Sequence, residues 1–143
     1  MFIIWKPWTE EDKVIFDSKV KELKLEYSVV IKRDYIEDEE LRKWYSNALC
    51  YISLSKLEWF WLTIPEAMAC WCLVIASDIW PFIEICGGMD VLVNVKDKKN
   101  IIALVEKYIK EEDFRNEISL EWIDNAKRFN WNSNANFLVN KMM

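Results

Sequence analysis

The stretch that decides the fold reads Ser55-Lys56-Leu57-Glu58-Trp59-Phe60-Trp61-Leu62-Thr63-Ile64-Pro65-Glu66-Ala67-Met68-Ala69-Cys70 and, after two intervening residues, Leu73-Val74-Ile75-Ala76. Thr63 and Pro65 open a helix over 65–70, since proline in a first helical turn gives up no hydrogen bond. The four residues from Leu73 are all apolar, as a parallel strand covered on both faces requires. The segment between residues 53 and 65 therefore joins a strand end to a helix start. In parallel α/β sheets that is where ligands bind, outside the carboxyl ends of the strands and at helix N-termini.

The same alternation extends in both directions. Phe2-Ile3-Ile4-Trp5 reads as a buried strand. Thr9 with Asp12 three residues on caps a helix to about residue 25, with Ile15, Phe16, Val20 and Leu23 as its apolar face. Val29-Val30-Ile31 is a second strand, a helix spans 38–47, and 48–53 is a third strand. After the fourth strand at 73–76, Val91-Leu92-Val93 is a short fifth. Helices follow near 97–110 and 111–129, the second with Phe114, Ile118, Trp122, Ala126 and Phe129 at helical spacing. A last helix covers about 132–141 within the C-terminal segment 130–143. The pattern predicts an α/β fold: a Rossmann-like, doubly wound, mostly parallel sheet of about five strands with flanking helices, as one domain over 1–143.

Composition limits the chemistry. Among 143 residues there are two glycines (Gly87, Gly88) and nine tryptophans, where average usage of roughly 7 % would give about ten glycines. That shortage argues against an ordinary glycine-rich phosphate loop. With 52 % hydrophobic and 30 % charged residues, the chain has enough apolar surface for a core and is neither disordered nor repetitive. The net charge of −5, with signs interspersed, speaks against a nucleic-acid partner. No histidine is present, which removes histidine bases, histidine-based triads and most zinc sites. Cys50, Cys70, Cys72 and Cys86 lie on apolar stretches without a signal peptide ahead of them, and read as buried free thiols in a reducing compartment. No apolar run is long enough to span a bilayer. The expectation is a soluble, cytoplasmic protein with no metal.

Two carboxylates in the opening stretch, Glu58 and Glu66, are eight positions apart. Glu58 falls in the loop and Glu66 in the first turn of the helix. Carboxylates so placed can accept hydrogen bonds from sugar or ribose hydroxyls. On spacing alone, the simpler reading comes first: Glu66 complements the helix dipole and Glu58 is solvated.

The segment resembles the signature of the retaining nucleotide-sugar glycosyltransferases of family 4, whose C-terminal, donor-binding Rossmann-like domain (GT-B fold) carries a pattern like S-x-x-E-G-F-G-L-x-x-x-E-A-M-A-C-G-x-P-V-I-A-S. The residues that carry the likeness are Ser55, Glu58, Phe60, Leu62, Glu66, Ala67, Met68, Ala69, Cys70, Val74, Ile75, Ala76 and Ser77, continued by Glu84 and Gly87-Gly88. Trp8-Thr9-Glu10-Glu11, Asp38-Glu39-Glu40-Leu41 and Tyr45-Ser46-Asn47-Ala48 resemble the parts before it, and Ala126-Lys127-Arg128-Phe129 with Trp131 the end. The resemblance implies sugar transfer from a nucleotide-diphosphate donor with retention, and no metal or other cofactor. By the same resemblance Glu66 would hold the ribose hydroxyls and Glu58, the catalytic candidate, would contact the donor sugar. Ser55, Phe60, Trp61, Leu62 and Thr63 complete the donor-binding set, with backbone N–H groups from Phe60 to Thr63 facing the diphosphate.

The chain departs from the family pattern in two ways. Tryptophan replaces family glycines at Trp59, Trp61 and Trp71, and Trp5 and Trp122 fall where relatives often have glycine. Asp34 replaces another glycine after the second strand. Indoles at 59 and 61 disfavour positive φ and would occupy part of a donor pocket. Trp122 completes an apolar helical stripe, while Trp8 and Trp44 read as packing residues. The recurrence suggests a common cause rather than independent adaptations, a sequence-level artefact or a decayed reading frame, since one base change converts one glycine codon to tryptophan; an intact mass matching nine tryptophans removes the artefact.

The second departure is that the sequence begins after the strand and helix that bear the family's Arg and Lys diphosphate clamp, and after the acceptor-binding domain. In the doubly wound order the first strand is central, between the second and fourth. Its absence predicts a gapped or rearranged sheet, or completion by another chain. The expected reading is thus a partial nucleotide-sugar-binding domain, inactive as an isolated chain, with a separate N-terminal acceptor domain or self-association as partner. The alternative is a non-catalytic interaction module that keeps the fold and uses its tryptophans as a partner surface. Another nucleotide-binding α/β domain is a third, weaker reading.

Overall fold

The structure is a computed structural model that describes residues 2–4, 9–28, 30–32, 34–58, 62–89 and 91–129. The expected strand residue Trp5, the tryptophans at 8, 59, 61 and 131, the site residues Phe60 and Trp61, and the expected helix in 130–143 lie outside them. Two compact units are present, 1–37 and 38–143.

The first unit contains β1 (Phe2–Ile4), α1 (Glu10–Glu22) and β2 (Val30–Lys32), with the two strands parallel and Phe2 opposite Val30. The predicted cap forms: the Thr9 hydroxyl accepts from the Asp12 N–H at 3.1 Å, while the Asp12 carboxylate accepts from the Thr9 N–H at 3.0 Å. The apolar face expected on this helix is not buried. No α1 residue is buried, and Ile15 and Leu23 are exposed. One helix and a two-stranded sheet are too small to enclose a core.

The second unit holds α2 (Asp38–Asn47), β3 (Cys50–Ser53), α3 (Thr63–Ala69), β4 (Leu73–Ser77), α4 (Trp80–Cys86), β5 (Leu92–Val93), α5 (Lys98–Lys110) and α6 (Glu112–Ala126). Its sheet has the order β3-β4-β5, all parallel, with Cys50 opposite Leu73 and Ala76 opposite Leu92. The fold is thus α/β with parallel strands and flanking helices, as the alternation requires. The five described strands divide into two sheets rather than one, and β3 ends its sheet. Helix α4 has no counterpart in the sequence reading. It is seven residues long, with Pro81 near its start, too short for helical periodicity to register.

β4 is the centre of the core, with all five residues buried. Around it pack Ile64 and Met68 of α3, Tyr108 of α5, and Ile118 and Trp122 of α6. The Tyr108 hydroxyl donates to the Val74 carbonyl at 3.0 Å, tying α5 to the sheet. Asn125 is a buried polar residue on the same α6 stripe. Its Nδ2 donates to the Ile85 carbonyl at 2.6 Å, and its Oδ1 accepts from Arg128 Nη1 at 2.8 Å. Trp122 is completely buried, and its indole N–H has no partner among the described residues. The predicted core role of Trp122 stands.

Four described residues have positive φ: Lys24, Trp71, Gly87 and Gly88. Trp71 follows the cap residue Cys70 of α3, with its N–H donating to Met68 O at 3.1 Å and that of Cys72 to Ala67 O at 3.0 Å. Lys24 repeats this after α1, where Lys24 N–H reaches Lys21 O at 2.9 Å and Leu25 N–H reaches Val20 O at 3.0 Å. Both are Schellman closures, a left-handed position that glycine ordinarily fills. The glycine-poor composition therefore leaves a lysine and a tryptophan at left-handed positions.

Candidate functional site

The site segment leaves β3 at Ser53, directly opposite Ala76 of β4. Ser77, the next residue of β4, is fully buried, and its hydroxyl donates to the backbone carbonyl of Ser55. The Ser55 hydroxyl in turn donates to Glu58 Oε1 at 2.5 Å. Ser55 and Glu58, both half-buried, are thus brought together at the carboxyl end of the sheet.

Leu62 is the cap residue of α3, which starts at Thr63, two residues earlier than the proline position suggests. Its backbone carbonyl accepts from the Glu66 N–H at 3.0 Å. Thr63 Oγ1 accepts from the Tyr51 hydroxyl at 3.1 Å, which fixes the start of α3 against the middle of β3. The Tyr51 ring stands edge-on to Tyr45 of α2, with centroids 5.6 Å apart at 89°. This edge-to-face arrangement is one that aromatic pairs favour.

Glu66 projects from the first turn of α3 and is exposed. Its carboxyl pKa is raised, first by partial desolvation and then by the negative charge of Asp38 at the start of α2. Burial also raises the Tyr51 pKa. Hydrogen bonding with Thr63 and Ser53 opposes that, and the charges of Glu58 and Glu66 add to it. Tyr51 therefore lies in the field of both carboxylates, which the sequence separates by eight positions. Burial pushes the thiols of Cys50 to about 11 and of Cys72 and Cys86 to about 12. These are packing residues rather than thiolate nucleophiles, and all four cysteines are free.

Five of the seven site residues expected from the sequence are described: Ser55, Glu58, Leu62, Thr63 and Glu66. Two residues in this network had no assigned role, Tyr51 and Ser77. Ser77 stood inside the recognised motif, but its reach to Ser55 depends on strand pairing. Tyr51 has a polar tip on a strand next to the site loop, a signal the apolar strand reading passed over. Among the described residues no group of three or more histidine, cysteine, aspartate or glutamate side chains is placed to hold a metal ion. No described helix is long and apolar enough to cross a membrane.

The model of the family "Glycosyl transferases group 1" matches residues 10–129. The serotype-specific mannosyltransferase WbdA of Escherichia coli is 26 % identical over 115 residues, covering 80 % of this chain and 14 % of that protein. The O-antigen chain mannosyltransferase B of Escherichia coli is 26 % identical over 106 residues, covering 74 % of this chain and 28 % of its own length. The chain thus spans between 14 % and 28 % of the length of these relatives. No solved structure matches it.

Proposed function

The chain belongs to the glycosyl transferases group 1 family, and from that premise we propose that it is the donor-binding part of a retaining family 4 glycosyltransferase. In this reading Glu66 accepts hydrogen bonds from the ribose hydroxyls of a nucleotide-diphosphate sugar. Glu58 faces the sugar, and the backbone N–H groups from Phe60 to Thr63 meet the diphosphate. No metal is required, because backbone amides and the helix dipole offset the phosphate charge. The observation that carries the reading is the placement of Ser55 and Glu58, joined by a hydrogen bond, in the loop that leaves the carboxyl end of β3, with Glu66 in the first turn of the helix that follows. Mannose is the first sugar to test, since both relatives named above are mannosyltransferases.

Transfer also requires an acceptor-binding part, supplied by the same or another polypeptide; this chain alone is proposed to be inactive. Trp59 and Trp61 take family glycine positions in the donor loop and weaken donor binding. Calorimetric titration with GDP-mannose, UDP-glucose and UDP-N-acetylglucosamine tests the reading. Saturable binding lost in Glu66→Ala supports it, and no binding of any of them defeats it.

A second reading is an interaction module with a family fold. Its support is the exposure of Trp71 and Trp80, at 59 % and 74 %. Large exposed aromatics are favoured anchors for partners.

A further inference from the structure

We propose that Ser77 is a positioning residue that orients the Glu58 carboxylate through Ser55. The inference rests on the reading of Glu58 as the group that faces the donor sugar. Ser77 cannot meet a ligand itself, being fully buried at the end of β4. Its hydroxyl donates to the Ser55 carbonyl, 22 residues away in the chain. That bond ties the start of the site loop to the central strand at the point where β3 and β4 stop pairing, one residue beyond the Ser53–Ala76 pair. Ser55 then turns its own hydroxyl onto Glu58 Oε1.

A hydrogen bond to a charged acceptor is stronger than a neutral one, so the Ser55 hydroxyl selects one orientation of a carboxylate that would otherwise sample several. The rigid element is β4, and the two serines carry its position to Glu58. Ser77 and Asn125 are the two buried polar residues of the described chain. Asn125 braces α6 against the end of α4, while Ser77 braces the loop.

The test compares two probes on the full chain, the nucleotide sugar that binds best among the three above and its nucleoside diphosphate alone. Ser77→Ala is expected to weaken the nucleotide sugar about tenfold and leave the diphosphate unchanged, because only the sugar meets Glu58. Ser55→Ala reproduces the loss, Ser55→Thr retains binding, and the Ser55→Ala/Ser77→Ala double variant shows no further loss. Equal weakening of both probes, or of neither, overturns the proposal.

Nuclear magnetic resonance of the Glu58 side-chain carboxylate carbon supplies a readout that needs no ligand. Its chemical shift should move in Ser55→Ala, which removes the donor to Glu58 Oε1, and move in the same direction in Ser77→Ala, with the carboxylate of Glu66 unchanged. Should wild type bind none of the probes, the donor reading falls, and this shift alone decides the tether. A Glu58 shift unaltered in Ser77→Ala overturns it.

Discussion

Replacing Trp71 probes the left-handed closure of α3 most sharply. Trp71 has φ of +64° one residue past the cap of α3, and its N–H and that of Cys72 close the helix onto Met68 and Ala67. A side chain in the left-handed region costs ~1–2 kcal/mol, from the crowding of Cβ against the following carbonyl. Trp71→Gly removes that cost but also the indole contacts, and the residue is 59 % exposed, so the two changes oppose each other. The informative quantity is Trp71→Gly minus Trp71→Ala, in which the lost indole cancels. Glycine gains ~1–2 kcal/mol in the folded state and loses ~0.4–1 kcal/mol through the greater freedom of the unfolded chain. The net expectation is that Trp71→Gly is more stable than Trp71→Ala by about 1 kcal/mol, or about 4 °C in melting temperature.

Ala69→Gly is the opposite control. Ala69 is the last helical residue of α3, and glycine there should cost ~0.5–1 kcal/mol. Urea denaturation followed by far-ultraviolet circular dichroism measures all three variants. A Trp71→Ala chain as stable as Trp71→Gly, with the Ala69 control behaving normally, would refute the left-handed closure of α3.

Other consequences follow from the same contacts. Asn125→Ala should cost about 2 kcal/mol in urea denaturation, because it leaves the Ile85 carbonyl without its donor and Arg128 without its acceptor. Cys72 and Cys86, buried and with thiol pKa values near 12, should resist alkylation at pH 8 in the native protein and react once it is unfolded. The raised pKa of Glu66 means the folded state binds its proton at a higher pH than the unfolded chain. Its contribution to stability is therefore present below the unfolded value and is lost as pH rises through the folded one. Glu66→Gln should accordingly be more stable than wild type at pH 7, with the difference vanishing in acid, while donor binding is lost. Thermal melts across pH paired with calorimetry check both halves.

Much of this architecture was legible in the residues. The capping pair Thr9 and Asp12, the all-apolar run from Leu73, and the α6 stripe through Ile118 and Trp122 are local patterns whose physics survives folding. Helix α4 was not legible, because seven residues carry too little periodicity and Ile79-Trp80-Pro81 reads as a breaker. The exposed face of α1 misled for another reason. Amphipathic spacing at Ile15 and Leu23 states that a face can be buried, but not that a partner within the chain will cover it. At the proposed site, the motif singled out Glu58 and Glu66. Tyr51 and Ser77 were not singled out, since their roles arise from the pairing of β3 with β4 and from the packing of β3 against α2 and α3. The scarcity of glycine became specific at two described sites: Lys24 and Trp71 occupy the left-handed turns that close α1 and α3.

The most direct test of the donor-binding account is to map amide shifts of the isotopically labelled chain by nuclear magnetic resonance during titration with GDP-mannose and with the two UDP-sugars. The account predicts saturable shifts at Ser55, Glu58, Leu62, Thr63 and Glu66 for at least one of them, abolished by Glu66→Ala. Shifts confined to other surfaces, or none with any of the three sugars, would contradict it.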